Sequence, residues 1–158
     1  VKQEFLLERE FSVFSGWESF LKENVGEWIF KSLNKKITQF DIIDSWIVRQ
    51  FENDYNPLHG HGGHVSGVGY LKLPDDYGEP IQGTKKDNYN GHLQLVHGSN
   101  MFLSPIVLDI EPKVGEFIFF PNYLMHTVYP FKNKNSERRS ISFNASIGDD
   151  IYNIYGKS

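Results

Sequence analysis

The spacing of hydrophobic residues changes once along the chain, near residue 40. Before that point, apolar side chains recur at steps of three and four residues, which places them on one face of a helix. These residues are Trp17, Phe20, Leu21, Val25, Trp28, Ile29 and Leu33. Ser15 and Glu18, three residues apart, predict a capping box at the start of this helix. We expect the apolar face to pack against a sheet.

After residue 40 the sequence consists of short β-prone runs separated by glycine, proline, asparagine and aspartate. The predicted strands are 40–52, 65–73, 91–97, 105–110, 116–120, 126–130 and 138–147. Seven or eight short strands after one helix favour a mainly β domain, a sandwich or jelly roll with the N-terminal helix packed on the sheet. Residues 75–91 show no periodicity, and we interpret them as a loop that closes over a substrate.

Length and composition narrow the function classes. At 158 residues the chain fits a single domain, residues 1–158. Cysteine is absent, so any metal must be bound through nitrogen and oxygen. The net charge of -4 gives no basic field for nucleic acid, and no apolar run approaches the roughly 20 residues of a membrane span. Because the N-terminus does not read as a signal peptide, we expect a soluble cytoplasmic protein with neither nucleic acid nor membrane as a partner.

Three histidines within six residues, His59, His61 and His64, form the first candidate for chemistry. Imidazole is the commonest neutral metal ligand, and residues i and i+2 of a strand point to the same side. His59 and His61 can therefore face one ion. His64 is out of phase with this pair unless the two preceding glycines form a bulge. A polar surface turn is the alternative interpretation.

A second block runs from Gly115 to His126 and contains an aromatic strand that Pro121 ends. The turn after the proline brings the chain back, so His126 opens the next strand near the mouth of the barrel. Taken alone, His126 would be interpreted as a core histidine. Together with His59 and His61 it predicts a metal site, because one distant histidine commonly completes such a set in barrel-shaped metalloenzymes.

A third block, 138–144, alternates between two faces. Arg138, Ser140, Ser142 and Asn144 share one face, and Arg139, Ile141, Phe143 and Ala145 share the other. If the apolar face packs on the helix, the polar face points into the barrel. An inward arginine needs an anionic partner, which a ligand carboxylate bound by Arg138 and Ser140 would supply. A polar-out edge strand is the alternative.

These blocks resemble the small 2-oxoglutarate/Fe(II) oxygenases of marine bacteria and their phages. The resemblance involves Phe51–Pro74, Gly115–Pro130 and Glu137–Asn144, and extends over about two-thirds of the chain. It implies a double-stranded β-helix, which is a cupin-like jelly roll, that holds Fe(II) and the co-substrate 2-oxoglutarate. It also implies a location in a bacterial or phage-infected cell. The implied reaction uses O2 to decarboxylate 2-oxoglutarate and hydroxylate an unactivated carbon.

The resemblance also implies roles for individual residues. The distal carboxylate of 2-oxoglutarate would lie on Arg138 and Ser140. Tyr70 and Ser66 share one face of the strand after the histidine cluster, so we expect them either to hydrogen-bond the co-substrate or to pack structurally. The wider superfamily uses a His-x-Asp/Glu…His triad, whereas this chain has a histidine in place of the carboxylate. We favour His59, His61 and His126 as the metal ligands. A two-His site with an open position and a set formed by His61, His64 and His126 remain alternatives.

Two other functions fit parts of the pattern. The His-x-His and Gly-x5-Pro-x4-His spacings resemble the two motifs of cupins, which include three-His dioxygenases that do not use 2-oxoglutarate. However, the glutamate of the first motif is missing, and Tyr123 replaces the glycine of the second. A non-catalytic jelly-roll module could instead bind a sugar or peptide along Trp46, Tyr55, Tyr70 and Tyr89. The Arg138 clamp distinguishes the 2-oxoglutarate hypothesis from both. The sequence indicates neither the oligomeric state nor the substrate, which could be a small molecule or a peptidyl group.

Overall fold

The computed structural model describes residues 3–152, in which two antiparallel sheets enclose a central cavity. The strands are β1 Gln3–Leu6, β2 Asp41–Gln50, β3 Asn56–His59, β4 Val65–Lys72, β5 Leu93–Val96, β6 Val107–Ile110, β7 Phe117–Pro121, β8 Met125–Val128 and β9 Arg138–Ser146. The helices are α1 Arg9–Phe14, α2 Trp17–Leu33 and α3 Asp149–Tyr152. One sheet has the order β1-β2-β9-β4-β7 and the other β3-β8-β5-β6. This is the predicted mainly β, double-stranded β-helix architecture. The prediction of one domain over 1–158 extends beyond the described residues.

The predicted helix packs on the five-stranded sheet. Leu21, Val25 and Ile29 of α2 are buried in one core cluster with Phe143 and Ala145 of β9. The predicted capping box is wrong. Gly16, with φ of 82°, occupies the N-cap position, and the Ser15 hydroxyl lies 3.4 Å from the Trp17 amide. Only two residues separate α1 from α2, and a left-handed glycine permits such a short connection.

All seven predicted strands occur, with ends that differ by no more than three residues. The sequence prediction omitted β1, β3, α1 and α3. The strand β3 has four residues and contains Pro57, which cannot donate to a ladder and therefore weakens the strand signal. Among residues 3–152, no helix combines the length and apolarity needed to cross a bilayer.

The central strand β9 confirms the predicted alternation. It lies between β2 and β4, so it is not an edge strand. Paired residues of neighbouring strands point to the same side, and the inward side chains form rows across the sheet. One row consists of Asp44, Asn144, Ser66 and Phe120, another of Val48, Ser140 and Tyr70, and the last of Gln50 and Arg138. The first and last rows are separated by six residues along β9, about 20 Å at 3.3 Å per residue.

The long loop between β4 and β5 does not cover the cavity. The Asn90 amide donates to the Tyr77 and Glu79 carbonyls at 3.1 and 2.8 Å, and the Lys132 amide donates to the Tyr77 carbonyl at 2.9 Å. These bonds fix the loop against the segment that follows β8. None of the residues 74–91 lines the cavity, so the structure does not support the expected lid.

Candidate metal centre and co-substrate pocket

His59, His61 and His126 meet at one end of the cavity, although they come from two distant parts of the sequence. β3 pairs with β8 in a register that places His59 opposite His126. His61 lies two residues beyond the end of β3. The ring centroids are separated by 4.2 Å for His59 and His126 and by 4.9 Å for each pair that includes His61. One potential ligand atom from each ring lies within 4.8 Å of the others, a geometry that can hold a metal ion.

His61 is positioned outside a strand by a reciprocal contact with Asn122. The His61 amide donates to the Asn122 carbonyl, and the Asn122 side-chain amide donates to the His61 carbonyl, both at 3.3 Å. The Trp46 ring lies 5.6 Å from the His61 ring. The spacing of two residues therefore brings His59 and His61 together as expected, but loop contacts, rather than strand alternation, orient the second ring.

Backbone carbonyls set the tautomers of two rings. His59 Nδ1 lies 2.6 Å from the Pro57 carbonyl, and His126 Nδ1 lies 3.0 Å from the Leu124 carbonyl. A carbonyl only accepts, so each Nδ1 must carry the proton, and each Nε2 keeps a lone pair for a metal. His61 Nε2 and His126 Nε2 are 3.1 Å apart. That separation suits two neighbouring ligands at about 2.1 Å from one ion.

The two shielded rings are neutral at pH 7. Burial lowers the pKa of His61 to about 4, and the nearby His59 adds to this shift. Burial likewise lowers the pKa of His126 to about 4. The hydrogen bond to the Leu124 carbonyl opposes this shift, and the nearby His59 and His61 add smaller contributions to it. Neutral imidazole is the form that binds metal, so these ligands need not lose a proton to the ion at neutral pH.

These pKa values predict how the stability of the metal-free protein depends on pH. A histidine with a folded pKa below its unfolded value of 6.5 contributes full stability above pH 6.5 and loses it as the pH falls towards 4. For His126 the loss amounts to roughly 3 kcal/mol at most, and the less buried His61 adds less. Urea unfolding with chelator present, between pH 4.5 and 7, would measure this slope. His126→Gln should flatten the slope, whereas the exposed-site control His97→Gln should leave it unchanged.

His64 does not belong to the three-His group. Its Nδ1 accepts the Ile147 amide proton at 3.0 Å, its Nε2 lies 3.4 Å from Asp149 Oδ1, and its ring stacks on Tyr152 at 4.3 Å. The alternative ligand set of His61, His64 and His126 is therefore not supported by the geometry. Among residues 3–152, no carboxylate joins the three rings within 4.8 Å.

Arg138 stands at the opposite end of the cavity and lacks a counterion. It is 2% exposed, its Nε donates to the Gly91 carbonyl at 3.1 Å, and its guanidinium lies 5.1 Å from the centre of the Tyr70 ring. Its Nη2 and the Tyr70 hydroxyl are buried without a hydrogen-bond partner among residues 3–152. Burial lowers the pKa of Arg138 and raises that of Tyr70. Arg138, which lines the cavity and packs against Tyr70, is thus a buried cation that an anion in the cavity would stabilise.

The neighbouring carboxylate does not neutralise Arg138. Glu137 pairs with Arg49 and Arg139, each with its Nε at 2.7 Å from Oε1. Hydrogen bonds from Arg49 and Arg139 hold the pKa of Glu137 at about 2. Of the two consecutive arginines in the sequence, Arg139 therefore forms an ion pair outside the barrel and Arg138 remains available inside it.

A cavity of about 570 Å³ connects these two ends, which we call the metal end and the arginine end. Ser140 lies beside Tyr70 in the register, close to the arginine end. Ser66 lies in the row of Asn144 and donates to the Asn144 side-chain oxygen at 2.7 Å. The structure thus brings Arg138, Tyr70 and Ser140 together and places Ser66 nearer the metal end.

Asp44 and Gln50, which also line the cavity, were missed, although alternation along β2 could have identified them.

Comparison of sequences identifies the family of this chain. The profile of the family described as "Putative 2OG-Fe(II) oxygenase" matches residues 44–144, which is more than half of the sequence. The chain belongs to this 2OG-Fe(II) oxygenase family. No curated protein matches it by sequence.

Solved 2OG-Fe(II) oxygenase structures share the fold. An oxidoreductase of this family from Burkholderia pseudomallei is 12% identical with a TM-score of 0.62, over 92% of this chain and 65% of that protein. HygX from Streptomyces hygroscopicus, with iron bound, is 13% identical with a TM-score of 0.62, over 92% and 72%. A viral collagen prolyl hydroxylase from Paramecium Bursaria Chlorella virus-1, in a 2OG complex, is 17% identical with a TM-score of 0.60, over 92% and 78%. The present chain spans just under two-thirds of the first of these oxygenases.

The residues fit the iron and 2-oxoglutarate used by 2OG-Fe(II) oxygenases. Three imidazoles are suitable ligands for iron, and they leave coordination positions for other groups. The unpaired Arg138 Nη2 and Tyr70 hydroxyl are suitable donors for a carboxylate at the far end of the same cavity. The predicted cofactor and co-substrate are therefore confirmed by the family and are consistent with this chemistry. The individual ligand assignments remain predictions.

Proposed function

We propose that this protein is a 2-oxoglutarate- and Fe(II)-dependent oxygenase that hydroxylates an unactivated carbon. In this proposal His59, His61 and His126 bind the iron, and Arg138 binds the distal carboxylate of 2-oxoglutarate. The observation that carries it is the presence, in one cavity, of three convergent imidazoles and a buried guanidinium without a counterion. The histidines could hold a metal that one end of a dicarboxylate chelates, and Arg138 could bind the carboxylate at the other end of the same molecule.

Burial of Arg138 without a counterion carries a free-energy cost. A buried guanidinium without an anion is strongly unfavourable, and removing one member of a buried ion pair typically costs about 3–5 kcal/mol. A carboxylate between Arg138 Nη2 and the Tyr70 hydroxyl would satisfy both donors, and the Ser140 hydroxyl lies near enough in the register to help. Co-substrate binding would thus relieve a cost that the fold already carries.

When bound, iron and 2-oxoglutarate supply the oxidising chemistry, in which O2 drives decarboxylation of the co-substrate. The chain supplies position and environment. Phe120, whose ring lies 4.9 Å from His126, helps to exclude water from the metal end. Because the site has imidazole where related enzymes have a carboxylate, it carries one more unit of positive charge, which favours anionic ligands.

The arginine end also separates this proposal from the alternatives. A cupin-type dioxygenase that uses no 2-oxoglutarate has no need for a buried carboxylate clamp. For the binding module, Tyr89 packs against His92 and Tyr129, away from the cavity that Trp46 lines. The aromatic groove expected for that module is therefore not assembled around the cavity. We further propose a small-molecule or peptidyl substrate, rather than nucleic acid, and a cytoplasmic location.

Anaerobic spectroscopy tests the proposal directly. Adding 2-oxoglutarate to the Fe(II) protein should produce a visible charge-transfer band, because the keto and carboxylate oxygens then chelate the metal. Glutarate, which has the same two carboxylates and no keto group, is the matched control and should give no band. Iron binding without a 2-oxoglutarate-dependent band would favour the cupin-type function, and failure to bind iron would favour the binding module.

A further inference from the structure

The metal end of the cavity carries a carboxylate that nothing in the described chain neutralises. Asp44 lines the cavity, and its Oδ1 is shielded from solvent without a hydrogen-bond donor among residues 3–152. Glu4, from the edge strand β1, also lines the cavity and is exposed. The one lysine or arginine among the described lining residues is Arg138, at the opposite end. A shielded carboxylate oxygen without a donor is unfavourable, so it points to a ligand that donates.

Asp44 lines the same cavity as the three histidines without belonging to their group. Trp46, two residues further along the same face of β2, contacts the His61 ring. The group of rings that could hold a metal includes no carboxylate. Asp44 is therefore placed to contact a molecule that approaches the metal, rather than to bind the metal itself.

A second acceptor on the same strand also faces the cavity without a partner. Gln50 is fully buried, and its Nε2 donates to the Asp54 carbonyl at 2.9 Å. This bond fixes the orientation of the amide, so its Oε1 is directed elsewhere, and no donor among residues 3–152 reaches it. The wall formed by β2 thus offers acceptors at both ends. A ligand that lies along this wall, beside the co-substrate, should therefore carry N–H groups.

We propose that the substrate is an aliphatic primary amine whose ammonium group is held by Asp44 and flanked by Trp46. This inference rests on the proposed function, because it assigns the substrate of the same site. An ammonium group supplies three donors and a positive charge for Asp44, and the face of an indole ring attracts cations. The amine would lie at the metal end, leaving the arginine end to 2-oxoglutarate. Asp44 would thereby determine which carbon of the substrate lies nearest the iron.

Probe titrations on the Co(II) protein saturated with 2-oxoglutarate test this assignment. Paramagnetic broadening of the probe protons gives affinities for n-propylammonium, 1-propanol and propionate at pH 7. We expect n-propylammonium to bind about tenfold or more tightly than the other two, because a charge-assisted hydrogen bond is stronger than a neutral one. Asp44→Asn, which keeps the size of the side chain, should remove this preference. Asp75→Asn makes the same change of charge on an exposed residue outside the cavity and should preserve it.

Two results would overturn the inference: equal binding of the three probes to the wild-type protein, or an unchanged ammonium preference in Asp44→Asn. The wild-type comparison does not depend on the variant being folded. The titration is repeated on the Co(II) protein without 2-oxoglutarate. Failure to bind 2-oxoglutarate would contradict the proposed function, whereas the preference for n-propylammonium over 1-propanol, measured on the metal protein alone, still decides the role of Asp44.

Discussion

Replacing His126 by alanine should abolish iron binding and, with it, all oxygenase activity. His126 is 5% exposed, and its Nε2 lies 3.1 Å from His61 Nε2, so its removal takes away one of three convergent ligands. Loss of a residue that merely supports a ligand typically costs 10–100-fold in metal affinity. For a direct ligand we expect a loss of roughly a thousandfold or more. Metal content after dialysis, together with titration of Fe(II) under anaerobic conditions, measures the effect.

The matched control for this variant is His97→Ala. His97 is exposed and lies outside the three-His group, so its replacement should leave the iron stoichiometry at the wild-type value. His64→Ala provides a second comparison, because His64 contacts Ile147 and Tyr152 instead of the proposed iron. Stoichiometric, tightly bound iron in His126→Ala would show that the far ligand has been misassigned.

Much of the fold follows from periodicity in the sequence. The steps of three and four residues in α2 and the alternation in β9 each describe an element that buries one face, which is where a hydrophobic pattern carries most information. The elements that were missed bury little apolar surface. Phe5 and Leu6 of β1, for example, are 51% and 78% exposed. Such an edge strand is held by its ladder with β2, and its side chains give no comparable signal.

The candidate site was predictable for a different reason. Its histidines and arginine are chemically distinctive, so their residue types and spacing were informative before their positions were known. The sequence could not show which of the histidines share a site, because a loop contact with Asn122 orients His61 and the packing of Tyr152 holds His64 away. Asp44 was missed because a single aspartate in a strand is ordinary. Its significance comes from the absence of a donor for Oδ1 among residues 3–152.

Replacing Arg138 by alanine should weaken 2-oxoglutarate binding by about a hundredfold or more while iron binding changes little. Truncating one partner of a buried, hydrogen-bonded charge pair typically costs about 2–5 kcal/mol, and Arg138 lies outside the group of side chains that could hold the metal. Titration of the Fe(II) protein with 2-oxoglutarate, followed by its charge-transfer band, measures the loss. Wild type should strongly prefer 2-oxoglutarate to 2-oxobutyrate, which lacks the distal carboxylate, and the variant should lose that preference.

The Arg138→Met variant distinguishes the role of Arg138 in binding 2-oxoglutarate from its effect on the stability of the protein. Methionine occupies much of the same volume without the charge, so the metal-free protein should be as stable as wild type or more stable, because an unpaired buried guanidinium is unfavourable. Adding 2-oxoglutarate and an inert divalent metal should raise the melting temperature of wild type by mass action and have a much smaller effect on Arg138→Met. Parallel losses of iron and 2-oxoglutarate affinity in either variant would contradict this division between the metal end and the arginine end. Retained discrimination against 2-oxobutyrate would show that another group binds the distal carboxylate.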